Sequence, residues 1–151
     1  MKKILFLGII GLMALSLSAQ EFVDLGLSSG TKWKDKNESD LFNYNAALVE
    51  FGGSLPTYAQ FEELKESCTW EWNGKGFKVT GPNGNSIFLP TTSTRDCNGD
   101  WLDNMLGSFA GSYWSSSALG PERAWILGFG ATGGNMGEAE QCSWRAVRLV
   151  K

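Results

Sequence analysis

The residues best suited to chemistry lie between positions 95 and 104. There, Arg95-Asp96-Cys97-Asn98-Gly99-Asp100-Trp101-Leu102-Asp103-Asn104 holds the densest group of oxygen donors in the chain. Asp96, Asn98 and Asp100 alternate as ligands do in the first half of a calcium-binding loop. Trp101, however, stands where such a loop needs glycine for its sharp turn, and Gly107 stands where a bidentate glutamate belongs. The heavier reading is a polar loop whose short side chains bond their own backbone. No cofactor is therefore expected, with calcium on Asp96, Asn98 and Asp100 as the weak alternative. Carboxylates on one loop also invite a glycosidase reading, but that chemistry needs a defined separation across a cleft, which the sequence does not supply.

Seven tryptophans are the second chemical signal: Trp33, Trp70, Trp72, Trp101, Trp114, Trp125 and Trp144. An indole face stacks on sugars and on apolar partner groups, and tryptophan is enriched at binding hot spots. Strand tryptophans more often fill a core, the expectation for Trp114, Trp125 and Trp144. Trp101, inside the polar loop, is expected to be exposed. Arg95 is read as an anchor of that loop through a carboxylate contact with Asp96. The glycine-rich stretch 128–135 is followed by no helix, so it reads as a hairpin turn and not as a phosphate cradle. Its Asn135 joins Asp96, Asn98, Asp100, Trp101 and Asn104 as the expected ligand-contacting set.

The chain of 151 residues contains no histidine. Histidine-based acid–base catalysis, Ser-His-Asp and Cys-His nucleophiles and the commonest transition-metal ligand are all excluded. Residues 1–19 read as a signal peptide: Lys2 and Lys3 precede an apolar run to Leu17, and Leu17-Ser18-Ala19 offers a small-residue cleavage site. The run is shorter than the roughly 20 residues of a spanning helix. An exported product is expected, in the periplasm, at the cell surface or outside the cell, with no membrane span after cleavage. Residues 20–151 suit one domain. Without Lys2 and Lys3, 11 of the 13 basic residues face 16 acidic ones, a formal charge of −5. That deficit argues against a nucleic-acid partner. Cys68, Cys97 and Cys142 allow three single bridges; Cys97–Cys142 is slightly favoured because both lie in the loop-rich half. The alternative is that all three are small buried hydrophobes.

The elements that must position these groups are short. Glu21 to Leu27 alternates as an opening strand, and Thr31 to Lys34 reads as a second. Leu41, Tyr44, Ala47, Leu48 and Phe51 recur at helical spacing, with Asp40 or Ser39 to cap the start and Gly52-Gly53 to end the helix. Thr57 and Gln60 form a capping box for a second helix that ends near Ser67-Cys68. Strand patterns follow at 69–72, 76–80 and 86–90, then an irregular loop over 91–112. Four short antiparallel strands are expected at 113–118, 123–130, 134–140 and 143–150.

The turn Gly52-Gly53-Ser54-Leu55-Pro56 between the helices, with Ala46-Ala47, Phe61-Glu62-Glu63-Leu64 and the closing Trp144-Arg145-Ala146-Val147-Arg148-Leu149-Val150, resembles the C-type lectin-like fold. The opening 22–33, Gly81 to Pro90 and Tyr113-Trp114-Ser115-Ser116 are similar to small surface or secreted proteins of the Bacteroidetes, relatives of the Fibrobacter major paralogous domain. The resemblance covers nearly all of 21–151. It implies an α+β fold, with two N-terminal helices packed on a twisted antiparallel sheet and long irregular loops. The calcium triplets of the sugar-binding lectins are missing, since Gly81-Pro82-Asn83 has glycine where the carboxylate belongs. The paired cysteines of the formylglycine-generating branch are missing too, so neither activity carries over. The function expected is an exported, non-catalytic recognition or adhesion module that binds a glycan or protein surface through its loop end. Loops 91–112, 118–123 and 130–135 are expected to share that end. The alternatives are a structural subunit of a fimbria-like assembly and, further off, a carboxylate-based hydrolase.

Overall fold

The computed structural model describes residues 21–102 and 110–151. The signal-peptide reading and Asn104 lie outside the described residues. Among those described, strands dominate: β1 (Phe22–Asp24), β2 (Lys32–Lys34), β3 (Thr69–Trp72), β4 (Gly76–Thr80), β5 (Ser86–Pro90), β6 (Gly111–Leu119), β7 (Arg123–Gly130) and β8 (Gly133–Glu140). They form three antiparallel sheets, β1-β2, β3-β4-β5 and β6-β7-β8. The helices α1 (Tyr44–Phe51) and α2 (Tyr58–Ser67) have eight and ten residues.

The expected C-type lectin-like α+β fold, two helices packed on one twisted sheet, is therefore corrected to a strand-dominated architecture of three small sheets. The physical reason lies in the helices' narrow apolar faces. Each buries only two side chains, Tyr44 and Ala47 from α1 and Phe61 and Leu64 from α2. Strand side chains supply most of the interior, in two clusters on opposite faces of the β6-β7-β8 sheet. Tyr113, Leu127 and Phe129 join Phe61, Leu64, Trp33, Val79 and Leu89 on one side. Trp114, Ala124 and Ile126 join Tyr44, Ala47, Leu55 and Val147 on the other. Successive residues of a strand point to opposite faces, so a strand lying between two cores reads as a continuous apolar run, as Ala124 to Leu127 does.

Local chemistry explains the boundaries. Asn43, not Asp40 or Ser39, caps α1: its Oδ1 accepts the Ala46 N–H at 2.9 Å. The α2 capping box is present, with Thr57 Oγ1 accepting from the Gln60 N–H and Gln60 Oε1 accepting from the Thr57 N–H. The expected strand at 143–150 is not one. That segment makes single bridges, antiparallel from Arg145 to Phe42 and from Val150 to Trp33, and parallel from Ala146 to Tyr113. It threads between elements instead of extending a ladder, and it draws the chain's end to β2 through reciprocal Lys32–Lys151 backbone bonds.

Arg148 anchors this thread from inside. Its side chain is 1% exposed. Nε donates to Asn37 Oδ1 at 2.7 Å, and the terminal nitrogens donate to the carbonyls of Lys34 and Phe88 at 2.9 and 2.6 Å. The Tyr113 hydroxyl donates to the Pro90 carbonyl at 2.6 Å and accepts from Asn37 Nδ2 at 3.2 Å. Together these groups join β2, β5, β6 and the final segment. Every buried donor in such a network needs its partner, because an unmade bond in the interior costs more than a made one gains.

Candidate functional site

The segment 94–102 is a hairpin. Asp96 N–H donates to the Asp100 carbonyl at 2.9 Å, Leu102 N–H to that of Thr94 at 2.9 Å, and Gly99 N–H to that of Asp96 at 3.0 Å. Gly99 sits at φ +86°, the left-handed residue that closes a three-residue hairpin loop. Asp96 Oδ1 accepts the N–H groups of Asn98 and Asp100 at 2.9 and 3.0 Å. One oxygen of Asp96 thus caps its own loop, as the polar-loop reading expects.

This hairpin places Arg95 opposite Trp101. Arg95 also pairs with Trp144 through two reciprocal backbone bonds, of 3.1 and 2.9 Å. Directly opposed residues of antiparallel segments project to the same face. The result is a row, Trp101–Arg95–Trp144, built from three positions distant in sequence. The Arg95 guanidinium carbon lies 3.9 Å from the centroid of the Trp101 ring, within cation–π range. Arg95 makes this contact in place of the expected ion pair with Asp96, whose carboxylate is turned to the loop backbone. Its Nε is buried and has no hydrogen-bond partner among the described residues.

Two grooves meet at the row. One, of about 520 Å³, is lined by Ser39, Asp40, Leu41, Phe42, Arg95, Trp101 and Trp144. The other, of about 800 Å³, runs past Trp144 to Asn43, Asn45, Glu122, Arg123, Glu140 and Gln141. The Cys97–Cys142 disulfide lies in its wall, with Cα atoms 4.9 Å apart, and ties the hairpin tip to the segment after β8. Glu140 Oε2 stands 3.5 Å from Cys97 Sγ. Arg123 Nε lies 3.1 Å from Glu138 Oε1. Beneath the row, Arg145 donates to Ser112 Oγ at 2.8 Å. Burial, with the Arg123 charge adding to it, pulls its pKa down to about 10, which leaves it cationic at neutral pH.

No family model, curated protein or solved structure matches the chain. The site is therefore read from its own residues. Asp96, Asn98, Asp100 and Trp101 share the hairpin, and Trp101 is 54% exposed. Asn135 is not part of that surface. It lies on β8 opposite Gly128 and five residues from Glu140, so about 17 Å along the strand from that residue, which stands beside the disulfide, at 3.3 Å per residue. The expectation that 91–112, 118–123 and 130–135 cluster at one end is corrected by topology. Successive turns of an antiparallel meander lie at opposite ends of the strand they share. The turn at Pro121 and Glu122 lies beside the disulfide, and the β7–β8 turn is a strand's length away.

Trp144, expected in the core, is only partly buried and lines both grooves. Trp114 is fully buried, its Nε1 donating to the Phe42 carbonyl at 2.7 Å. Trp125 is partly buried, edge-on to Tyr58 with ring centroids 4.9 Å apart. The hairpin corrects the irregular loop expected over 91–112; Asn98-Gly99 was the overlooked signal, since that dipeptide favours tight turns between strands. Nothing in the sequence pointed to Trp144 as its neighbour.

Proposed function

We propose that this protein is an exported, non-catalytic recognition module that binds an external glycan or protein surface with the face carrying Trp101, Arg95 and Trp144. One observation carries the reading: an aromatic–cation–aromatic row, held by backbone pairing and braced by a disulfide, borders two adjoining grooves. Rigid aromatic groups lose little conformational freedom on binding, and aromatic and arginine side chains dominate binding energies. The disulfide is compatible with export. Among the described residues no helix is long and apolar enough to cross a membrane. The resemblance of the opening strands and the Gly81–Pro90 hairpin to bacterial surface proteins supports the same setting.

The test is a glycan-array and surface-protein screen with residues 20–151, followed by titration of each hit. Trp101→Ala and Trp144→Ala are expected to weaken binding tenfold or more while leaving the melting temperature within a few degrees. Hits that neither variant weakens would remove this face from the function. Turnover of a bound saccharide would replace recognition with catalysis.

A further inference from the structure

We infer that the groove beside Arg95 selects a saccharide bearing a single carboxylate, a uronic acid residue within an otherwise neutral glycan. The inference rests on the recognition reading and specifies its ligand. Arg95 is its centre. Among the described residues the guanidinium has no carboxylate partner, and its Nε is buried without an acceptor. Its guanidinium carbon stands 3.9 Å from the centroid of the Trp101 ring, and its side chain lines the groove. A carboxylate pairing end-on, through the two terminal nitrogens, would form the two parallel bonds that guanidinium geometry favours.

The rest of the groove suits a pyranose ring better than a bare anion. Trp101 and Trp144 flank the arginine and supply indole surface for the C–H faces of sugars. Ser39 and Asp40, on the same groove, offer oxygen atoms to hydroxyl groups. The adjoining groove adds the amides of Asn43, Asn45 and Gln141. It also carries Glu122 and Glu140, against Arg123, which already has Glu138 beside it. Charge thus decides the pattern: one anionic group is attracted at Arg95, while Asp40 in that groove and Glu122 and Glu140 in the next meet further carboxylates with like charge. A densely charged polyuronate is disfavoured, and a neutral glycan forgoes the charge-assisted pair.

The experiment titrates the mature protein calorimetrically with three oligosaccharides of equal length. These are a neutral chain bearing one glucuronic acid, the same chain with its carboxyl reduced to the alcohol, and a fully carboxylated oligogalacturonide. The mono-uronate is expected to bind at least tenfold more tightly than either of the others. Arg95→Gln is expected to erase its advantage over the reduced chain. The comparison of charged and reduced chains uses only the native protein, so it stands even if the variant folds poorly. Equal affinity for the two would overturn the inference and leave glycan recognition intact. Tightest binding by the oligogalacturonide, or binding by none of the three, would overturn it as well. Whether the face then recognises another class is answered separately by the array.

Discussion

Tyr113 shows how much a single side chain does here. It lies fully buried where β6, β5 and the final segment meet, with its hydroxyl bonded to Pro90 and Asn37. Burial pushes its pKa up to about 12, with Asn37 and the Arg148 charge pulling weakly the other way. A tyrosine whose folded pKa exceeds its unfolded value near 10 holds its proton longer in the folded state. Its contribution is complete below pH 10 and is lost as the pH rises from there through about 12. Urea midpoints measured from pH 8 to pH 12 should therefore fall across that window. Tyr113→Phe should start about 1–3 kcal/mol lower at pH 8, because Pro90 and Asn37 lose their partner, and then fall less steeply. Parallel decline of the two proteins would show that the alkaline loss comes from other groups. Cys68, the remaining free thiol, is raised to about 11 by burial and by the charge of Glu63, so it is protonated and inert near neutral pH.

At the scale of elements, the turn at 81–85 and the cap of α2 were legible, and their roles are now visible. The β4–β5 hairpin turn at 81–84 presses on the end of β1. Asn83 Nδ2 and Asn85 Nδ2 donate to the Asp24 carbonyl at 2.9 and 2.8 Å. A Cβ at Gly81 would overlap the carbonyl oxygen of Leu25. Glycine at that position thus serves close backbone approach, not ligand binding. Gly81→Ala should cost at least 2 kcal/mol in a denaturant titration, since the obstacle is backbone and cannot swing aside. A loss below 0.5 kcal/mol, on the order expected of a surface substitution, would mean that β1 does not depend on this contact. The α2 capping box was readable because Thr57 and Gln60 solve a local problem with local residues. The start of α1 was misread by three residues because Ser39, Asp40 and Asn43 are all competent caps. The Tyr44 N–H, bonded to the Gln141 carbonyl at 3.0 Å, marks where the chain enters the helix.

Across the whole molecule, the disulfide and the final segment bind regions that local structure leaves separate. Cys97 and Cys142 lie 45 residues apart, and the chain-entropy model gives about 4 kcal/mol for closing such a loop. The double variant Cys97→Ser, Cys142→Ser should lose most of that in urea denaturation, and saccharide affinity should weaken as the 94–102 hairpin loosens against Trp144. A loss under about 1 kcal/mol would show that the reciprocal Arg95–Trp144 backbone bonds suffice to seat the hairpin. The same distances explain the errors in the sequence-based architecture. Short helices with narrow apolar faces were legible as helices, but periodicity says nothing about what covers them. It could not reveal that two cores would form on opposite faces of the β6-β7-β8 sheet.

From residue order alone came both helices, most of the strand segments, the capping box and the exclusion of histidine chemistry. Each depends on a property of one residue or of neighbours within a few positions: backbone preference, side-chain period, a hydroxyl in reach of an N–H, a residue type that is missing. The Trp101–Arg95–Trp144 row, the removal of Asn135 to a distant stretch of strand and the burial of Arg148 came from the folded chain. Those outcomes follow from which segments lie side by side, and packing decides that over tens of residues, where no local preference reaches.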